Sequence, residues 1–301
     1  MYLTGFADEA GASMEVQIRA TKELGWSNIE ARNVEGGNIH SIDESQFLKI
    51  ADQLDAAGVR VNCFGSEIAN WGRQVTDPFE ETIELVERAI PRMCRLGCKL
   101  VRIMSYAVRR GEDWEVLDDQ LKEERFRRLR DIVSRFRDAG ITPVHENCMN
   151  YGGMSWRHSL ELVERVPGLK LVFDTGNPVF TDDFAQPPPR PRQSSWEFYR
   201  RVREHIAYVH IKDARFLRDK PGSIFPESEF TFPGEGDGEV VRIVKELLNH
   251  GYDGGISMEP HLAVVFHDQS KDSKEEVKYR NYIEYGRRFM KILEDIGHGV
   301  D

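Results

Sequence analysis

Four short stretches end in polar residues where an apolar run stops: VHENC with Glu146, LVFDTGN with Asp174, YVHIKD with His210 and ISMEPH with Glu259. Each reads as the end of a buried strand. Side chains alternate along a strand, so Val144 and Glu146 share a face, as do Val172 and Asp174, and Ser257 and Glu259. If those faces point inward, three carboxylates and one imidazole converge. Three unpaired carboxylates buried together repel one another and lose solvation, so they protonate or recruit a cation. A divalent ion resolves the conflict. Three oxygen ligands and one imidazole suit Mn2+ first, with Mg2+, Co2+ and Zn2+ also compatible. Taken singly, an acid at a strand end is more often a helix cap or a turn residue. Four such residues on four successive strands are not explained that way.

The elements that position these residues follow a repeated phrase: amphipathic helix, glycine, one or two residues, short β-rich run. It occurs in KELGWSNIEAR, DAAGVRVNCFG, CRLGCKLVRIMS, RDAGITPVHEN, RVPGLKLVFDT and LNHGYDGGISME. Glycine just past a helix is the expected left-handed cap. With LTGFADE and IAYVHIKD the phrase predicts eight strands, near 3–7, 28–32, 59–64, 99–105, 141–147, 169–174, 207–212 and 254–259. Between them Phe79, Ile83, Val86, Ile90 and Met93 fall on one helical face. Asp77-Pro78 predicts a helix start, and Ser41 with Glu44, Ser194 with Glu197 and Ser273 with Glu276 fit the capping box. Eight strand–helix units predict an α/β fold, a (β/α)8 barrel over residues 1–301 as one domain, ending in a helix. The connections after strands 6, 7 and 8 are long, which puts the site at the carboxyl ends of the strands. Within the first of them, QPPPRPR reads as a stiff loop bordering the pocket, ahead of a ligand for a proline-reading module.

Of the 301 residues, 40% are hydrophobic and 31% charged, with a net charge of −10. That balance argues against nucleic acid or an anionic membrane as partner. The start MYLTGFADEA lacks the basic and apolar regions of a signal peptide, and no stretch approaches a membrane span. The expectation is a soluble cytoplasmic protein. Cys63, Cys94, Cys98 and Cys148 form no C-x-x-C pair and read as reduced, buried thiols.

HEN on the fifth predicted strand, FDTGN on the sixth, HIKD on the seventh and EPH on the eighth resemble the xylose isomerase-like barrels. That superfamily includes sugar isomerases and epimerases, inosose and dehydroshikimate dehydratases, and apurinic endonucleases. The resemblance runs from GFADEA to the last helix and implies Glu146, Asp174, His210 and Glu259 as metal ligands. The endonuclease branch carries extra histidines where this chain has Phe64-Gly65-Ser66, Ser105-Tyr106 and Asn177, which argues against a nuclease. The ketose 3-epimerases usually carry the third of these, so Asn177 departs from their substrate contacts. Lys212 in HIKD is shared with several dehydratases, and the phrase PGEGDG is common among relatives; alone, that phrase reads as a turn capping the seventh helix at Asp237.

The resemblance implies a carbohydrate substrate, one divalent ion acting as a Lewis acid, and an enediolate. Glu146 or Glu259 takes the proton, and two carboxylates on opposite sides permit epimerisation. A β-leaving group turns the same chemistry into elimination, so a metal-dependent isomerase or epimerase is read first and a dehydratase or lyase second. A sugar-binding barrel without turnover is the third reading. Lys212 shares a face with His210; a metal and burial predict a lowered pKa and a proton-donor role, against a plain salt bridge. Trp71 is read as a stacking wall against a core role, Arg102 as an oxygen clamp or a barrel ion pair, and Asn177 and Arg215 as substrate contacts. Glu30 is read as touching substrate or pairing with Arg102, and His145 as packed on the opposite face. Such barrels often pair into homo-oligomers, though no segment marks an interface.

Overall fold

The computed structural model describes residues 1–262 and 274–299. Eight parallel strands form one sheet: β1 Tyr2–Gly5, β2 Asn28–Ala31, β3 Arg60–Gly65, β4 Leu100–Ile103, β5 Thr142–Glu146, β6 Lys170–Asp174, β7 Ile206–Ile211 and β8 Gly255–Met258. They pair in the order β1-β8-β7-β6-β5-β4-β3-β2. A parallel bridge between Phe6 and Glu30 closes the remaining seam. The connecting helices are α1 Met14–Glu23, α2 Glu44–Ala57, α3 Phe79–Leu96, α4 Lys122–Asp138, α5 Trp156–Arg165, α6 Ser195–Val202, α7 Val240–Asn249 and α8 Lys274–Asp295. This is the (β/α)8 barrel that the helix–glycine–strand rhythm predicts. Gly58 ends α2 at φ 67, and its N–H returns to the last helical carbonyls.

The local signals held unevenly. Ser194 caps α6 by accepting the Glu197 N–H, as expected. Ser41 does not cap α2; Asp43 holds that position, and Ser41 instead bonds the His40 ring. Asp77 is likewise not the cap of α3: Pro78 is, and the Asp77 carboxylate accepts the Gln74 N–H. Ser273 lies outside the described residues. In α3, Val86 and Met93 are buried and Phe79, Ile83 and Ile90 pack against the same core. Among the cysteines, Cys63, Cys98 and Cys148 are buried and unpaired, but Cys94 is exposed, because it sits on the solvent side of α3. No helix among the described residues is long and apolar enough to cross a membrane.

Two features of the barrel prepare the site. Val144, Val172 and Tyr208, each two residues before Glu146, Asp174 and His210, pack with Cys63 as an inner plug. The alternation therefore does turn the polar strand ends inward. Above the plug, the register pairs Asp174 with His210 and His210 with Ser257. The strand-to-helix connections rise over this mouth. The one after β7 folds as a hairpin, Ala214–Arg218 against Glu227–Phe230. The one after β6 contains the helical turn Asn177–Phe180. Most of the connection after β8 lies outside the described residues.

Candidate metal centre and active site

Glu146, Asp174, His210 and Glu259 meet at the mouth of the barrel. Each offers a ligand-type atom, and these atoms all lie within 4.8 Å of one another. All four are buried. The span is close to two metal–ligand bonds of ~2.0–2.6 Å placed end to end.

Every carboxylate has a cationic neighbour. Arg102 Nη1 lies 3.0 Å from Glu146 Oε2, Arg32 Nη1 lies 3.2 Å from Glu259 Oε1, and Lys212 Nζ lies 3.0 Å from both Asp174 Oδ2 and Glu259 Oε2. The premise of three unpaired carboxylates is therefore corrected, since long side chains from β4 and from just past the ends of β2 and β7 reach into the same pocket. A different observation marks the cluster as ligand-like. Among the described residues, His210 Nδ1 is buried without a hydrogen-bond partner, and Asp174 Oδ2 has the Lys212 charge beside it but accepts no hydrogen bond. That imidazole nitrogen stands 3.7 Å from Glu259 Oε2 and 3.9 Å from Glu146 Oε1, too far to bond either. Its other nitrogen, Nε2, sits 3.1 Å from Glu30 Oε2. A carboxylate behind one imidazole nitrogen, with the other facing a carboxylate cluster, is the arrangement that holds histidine ligands in place. The residues present fit a divalent ion.

The surroundings tune each group. Burial alone would raise the Glu146 carboxyl, but Arg102 holds it down to about 2. Burial alone would lower His210, but Glu30 and Glu146 raise it to about 10. Against burial, Asp174 and Glu259 hold Lys212 above its ordinary value, which reverses the expected lowering. In the protein chain by itself this lysine stays an ammonium.

The loops lock these side chains. Asp174 Oδ1 accepts the Gly176 and Asn177 N–H groups at 2.8 and 2.7 Å. Asn147 clamps β5 to β6 in both directions, donating to Asp174 O and accepting its N–H. A Cβ on Gly176 would stand 2.8 Å from Lys212 Cγ, so the DTGN glycine makes room for the lysine. The HEN and DTGN phrases thus each have a packing task beside their polar residue.

A cavity of about 480 Å3 opens on the cluster, with Glu146, Glu259, Lys212, Arg102 and Asn177 on its polar wall. Trp71, Phe180, Phe225 and Phe230 form much of the facing wall. Trp71 is therefore at the pocket, 39% exposed, and not in the core. Arg102 makes the barrel ion pair and reaches the cavity as well. Asn177 donates from Nδ2 to Glu146 Oε1 at 2.9 Å. Glu30 neither lines the cavity nor pairs with Arg102; it backs His210, because β2 closes the barrel beside β1 and points Glu30 beneath the mouth. Arg215 lines no described cavity. The hairpin turns it outward, where it bonds the Glu235 carbonyl and lies 3.6 Å from Glu229. His145 faces away as expected, bonded to Ser105 and Asn150, and burial lowers it to about 4.

Three residues escaped the sequence reading. Arg32 bridges Asp8, Glu9 and Glu259. His261 lies 3.2 Å from both Glu9 and Glu259 and lines the cavity. Despite burial, those two carboxylates raise it to about 9. The signal was present: Arg32 and His261 each stand two residues past a site residue, and Glu9 lies in GFADEA. Asp237 does not cap α7, which starts after Glu239. Its phrase PGEGDG serves Asp213 instead, whose carboxylate accepts the N–H groups of Gly234, Gly236 and Gly238 at 2.8, 3.0 and 2.9 Å.

Fold and site define a (β/α)8 barrel with a ligand-like cluster at the carboxyl ends of its strands. The chain belongs to the xylose isomerase-like TIM barrel family, whose model matches residues 18–284. No protein of curated function matches it significantly in sequence. Among solved structures, a xylose isomerase-like TIM barrel protein from Mycobacterium smegmatis in complex with magnesium is 17% identical, with a TM-score of 0.67 over 97% of each chain. A D-tagatose 3-epimerase-like protein is 19% identical, with a TM-score of 0.65 over 98% of each chain. A probable 3-DHS dehydratase, AsbF, from Bacillus anthracis is 15% identical, with a TM-score of 0.65 over 94% of this chain and 98% of its own.

Proposed function

We propose that the protein is a divalent-metal-dependent isomerase or epimerase of a sugar or keto-sugar, with Glu146, Asp174, His210 and Glu259 holding the ion. The observation that carries the reading is the buried, unbonded His210 Nδ1 facing two of the three carboxylates. Held by these four residues, a divalent ion, Mn2+ foremost, would supply Lewis-acid chemistry suited to the carbonyl of a hydroxy-ketone or hydroxy-aldehyde and to the acidity of its neighbouring C–H. The chain supplies the rest. Glu146 and Glu259 come from different strand ends and both line the cavity, so one, as a carboxylate, would remove a proton and the other, entering as the carboxylic acid, would return one from the opposite side. Arg102 and Asn177 fix the Glu146 carboxylate, and Arg32 and His261 fix that of Glu259. Trp71 and Phe225 shield the pocket from water.

Lys212 favours a second reading, elimination by a dehydratase or lyase. Its Nζ donates to Glu259 Oε2 and pairs with Asp174 Oδ2 by charge, which leaves N–H donors for a departing oxygen. The two neighbours named as a D-tagatose 3-epimerase-like protein and a probable 3-DHS dehydratase stand for the two readings on one fold.

Calorimetric titration with Mn2+ and incubation with a keto-sugar panel in D2O test both. Deuterium at an epimerised carbon supports the first reading; loss of water or aglycone supports the second. Failure to bind Mn2+, Mg2+, Co2+ or Zn2+ sinks both.

A further inference from the structure

Beyond the carboxylate cluster a second cavity, of about 660 Å3, opens between the loop after β4, the loop after β6 and the hairpin tip. It runs into the inner one, for Trp71, Met149, Phe180 and Pro226 line both. The inner cavity, at about 480 Å3, already falls within the ~300–1,000 Å3 that encloses a whole small ligand. The outer space is additional to what one sugar ring needs.

Its walls combine two features. Trp71, Trp114 and Phe225 are 39%, 46% and 42% exposed, among the few large hydrophobic side chains the described surface leaves open; Trp71 and Trp114 line the outer cavity, and Phe225 lines the inner one beside it. Trp71 and Phe225 meet edge to face at 5.3 Å. Trp114 is held at φ 66, a conformation that bulky residues adopt only when their surroundings impose it. Arg110, whose Nη1 donates to the Trp114 carbonyl at 2.8 Å, and Arg190 flank the Phe184 ring at 6.0 and 5.1 Å. Arg109 and Arg192 nearby are paired with Asp119 and Asp182. Arg110 and Arg190 each keep a buried Nε–H that meets no acceptor among the described residues.

These features restrict the occupant. A phosphate uses the guanidinium groups and leaves the tryptophans idle. A purely apolar ring uses the tryptophans and leaves the guanidinium groups on the wall without a role. A ring that carries oxygen atoms uses both, since sugars and phenols stack on indole faces and accept from guanidinium donors. We propose that the outer cavity is the subsite for a second ring joined through an oxygen to the sugar at the carboxylate cluster, so that the substrate is a glycoside of a keto-sugar, its carbonyl on a ring carbon other than the anomeric one, which the glycosidic oxygen holds as an acetal. The proposal rests on the sugar reading of the inner cavity.

Calorimetry on the whole protein in the presence of Mn2+ tests it, using methyl, phenyl and glucosyl β-D-glucosides and their galactoside counterparts. At least one ring-bearing probe is expected to bind about tenfold tighter than its methyl parent. Trp114→Ala and Arg190→Ala are each expected to remove most of that gain, while the methyl glycoside, too short to reach the outer cavity, is held as before. Thermal melting checks that both variants fold, and Trp114→Phe is expected to restore part of the gain. Ring-bearing probes that bind no better than methyl glycosides, or do not bind at all, overturn the proposal. So does a gain that survives both substitutions. Mn2+ titration without glycoside reads the inner site alone. Metal binding without a ring-dependent gain sinks the outer subsite only, and a ring-dependent gain without metal binding sinks only the metal reading.

Discussion

At the scale of single residues, the site is a set of carboxylates whose partners are dictated by geometry more than by charge. Glu30 illustrates this. It is as deeply buried as the ligand-like residues, yet its contact is with the back of the His210 ring. Its task is to keep Nδ1 aimed at Glu146 and Glu259. Glu30→Gln is therefore expected to weaken Mn2+ affinity about 10–100-fold, the usual cost of losing a partner behind a histidine ligand. Calorimetric titration checks this, and unchanged affinity would remove Glu30 from the site. The strand-end residues were legible in the sequence because period-two alternation and the end of an apolar run are local signals. Arg32 and His261 obey the same alternation, but they lie outside the apolar runs, so nothing local distinguished them from loop residues. The Glu30–His210 contact joins residues 180 positions apart, and only barrel closure brings them together.

At the scale of elements, the connection after β7 does more than roof the pocket. Asp213 gathers the N–H groups of Ala214, Gly234, Gly236 and Gly238 on one carboxylate. The HIKD aspartate and the PGEGDG glycines are thus two halves of one clamp at the base of the hairpin and the start of α7. Asp213→Asn replaces a charged acceptor of several bonds with a neutral amide. It is expected to cost roughly 1.5–3 kcal/mol, the worth of a hydrogen bond to a charged group. Urea unfolding measures the cost, and amide exchange at residues 231–238 is expected to quicken first. Stability within ~0.5 kcal/mol of the parent would count against the clamp. The sequence showed PGEGDG as a turn, which it is. What it could not show is the acceptor, because Asp213 lies more than twenty residues upstream. Arg215 shows the converse: proximity to the site in sequence did not survive the reversal of the hairpin.

At the scale of the whole molecule, acid stability depends on histidines buried in neutral form. His40 accepts the Glu67 N–H at Nε2, and burial with the nearby Arg88 lowers it to about 4. His158 bonds Ser155 at the start of α5, and burial with Lys122 lowers it to about 4 as well. In both the folded pKa lies below the unfolded value of ~6.5, so the unfolded chain binds more protons on acidification. The stability these groups contribute is whole above pH ~6.5 and is lost as the pH falls toward 4, by up to roughly 3 kcal/mol each. Urea midpoints measured from pH 7.5 to 4.5 are expected to fall, and His40→Gln is expected to flatten the curve. A midpoint that rises on acidification would contradict the assignment.

Some of this protein was determined by its sequence alone. Eight strand–helix units follow from hydrophobic period and glycine caps, which act within a dozen residues, and so does the inward aim of Glu146, Asp174, His210 and Glu259. The tertiary structure alone decided which charges those residues meet. Arg32, Arg102 and Lys212 reach the carboxylates because a closed barrel turns strand ends far apart in the chain into neighbours across one mouth. Coulombic and hydrogen-bond partners depend on distance through space, and no local pattern encodes that distance.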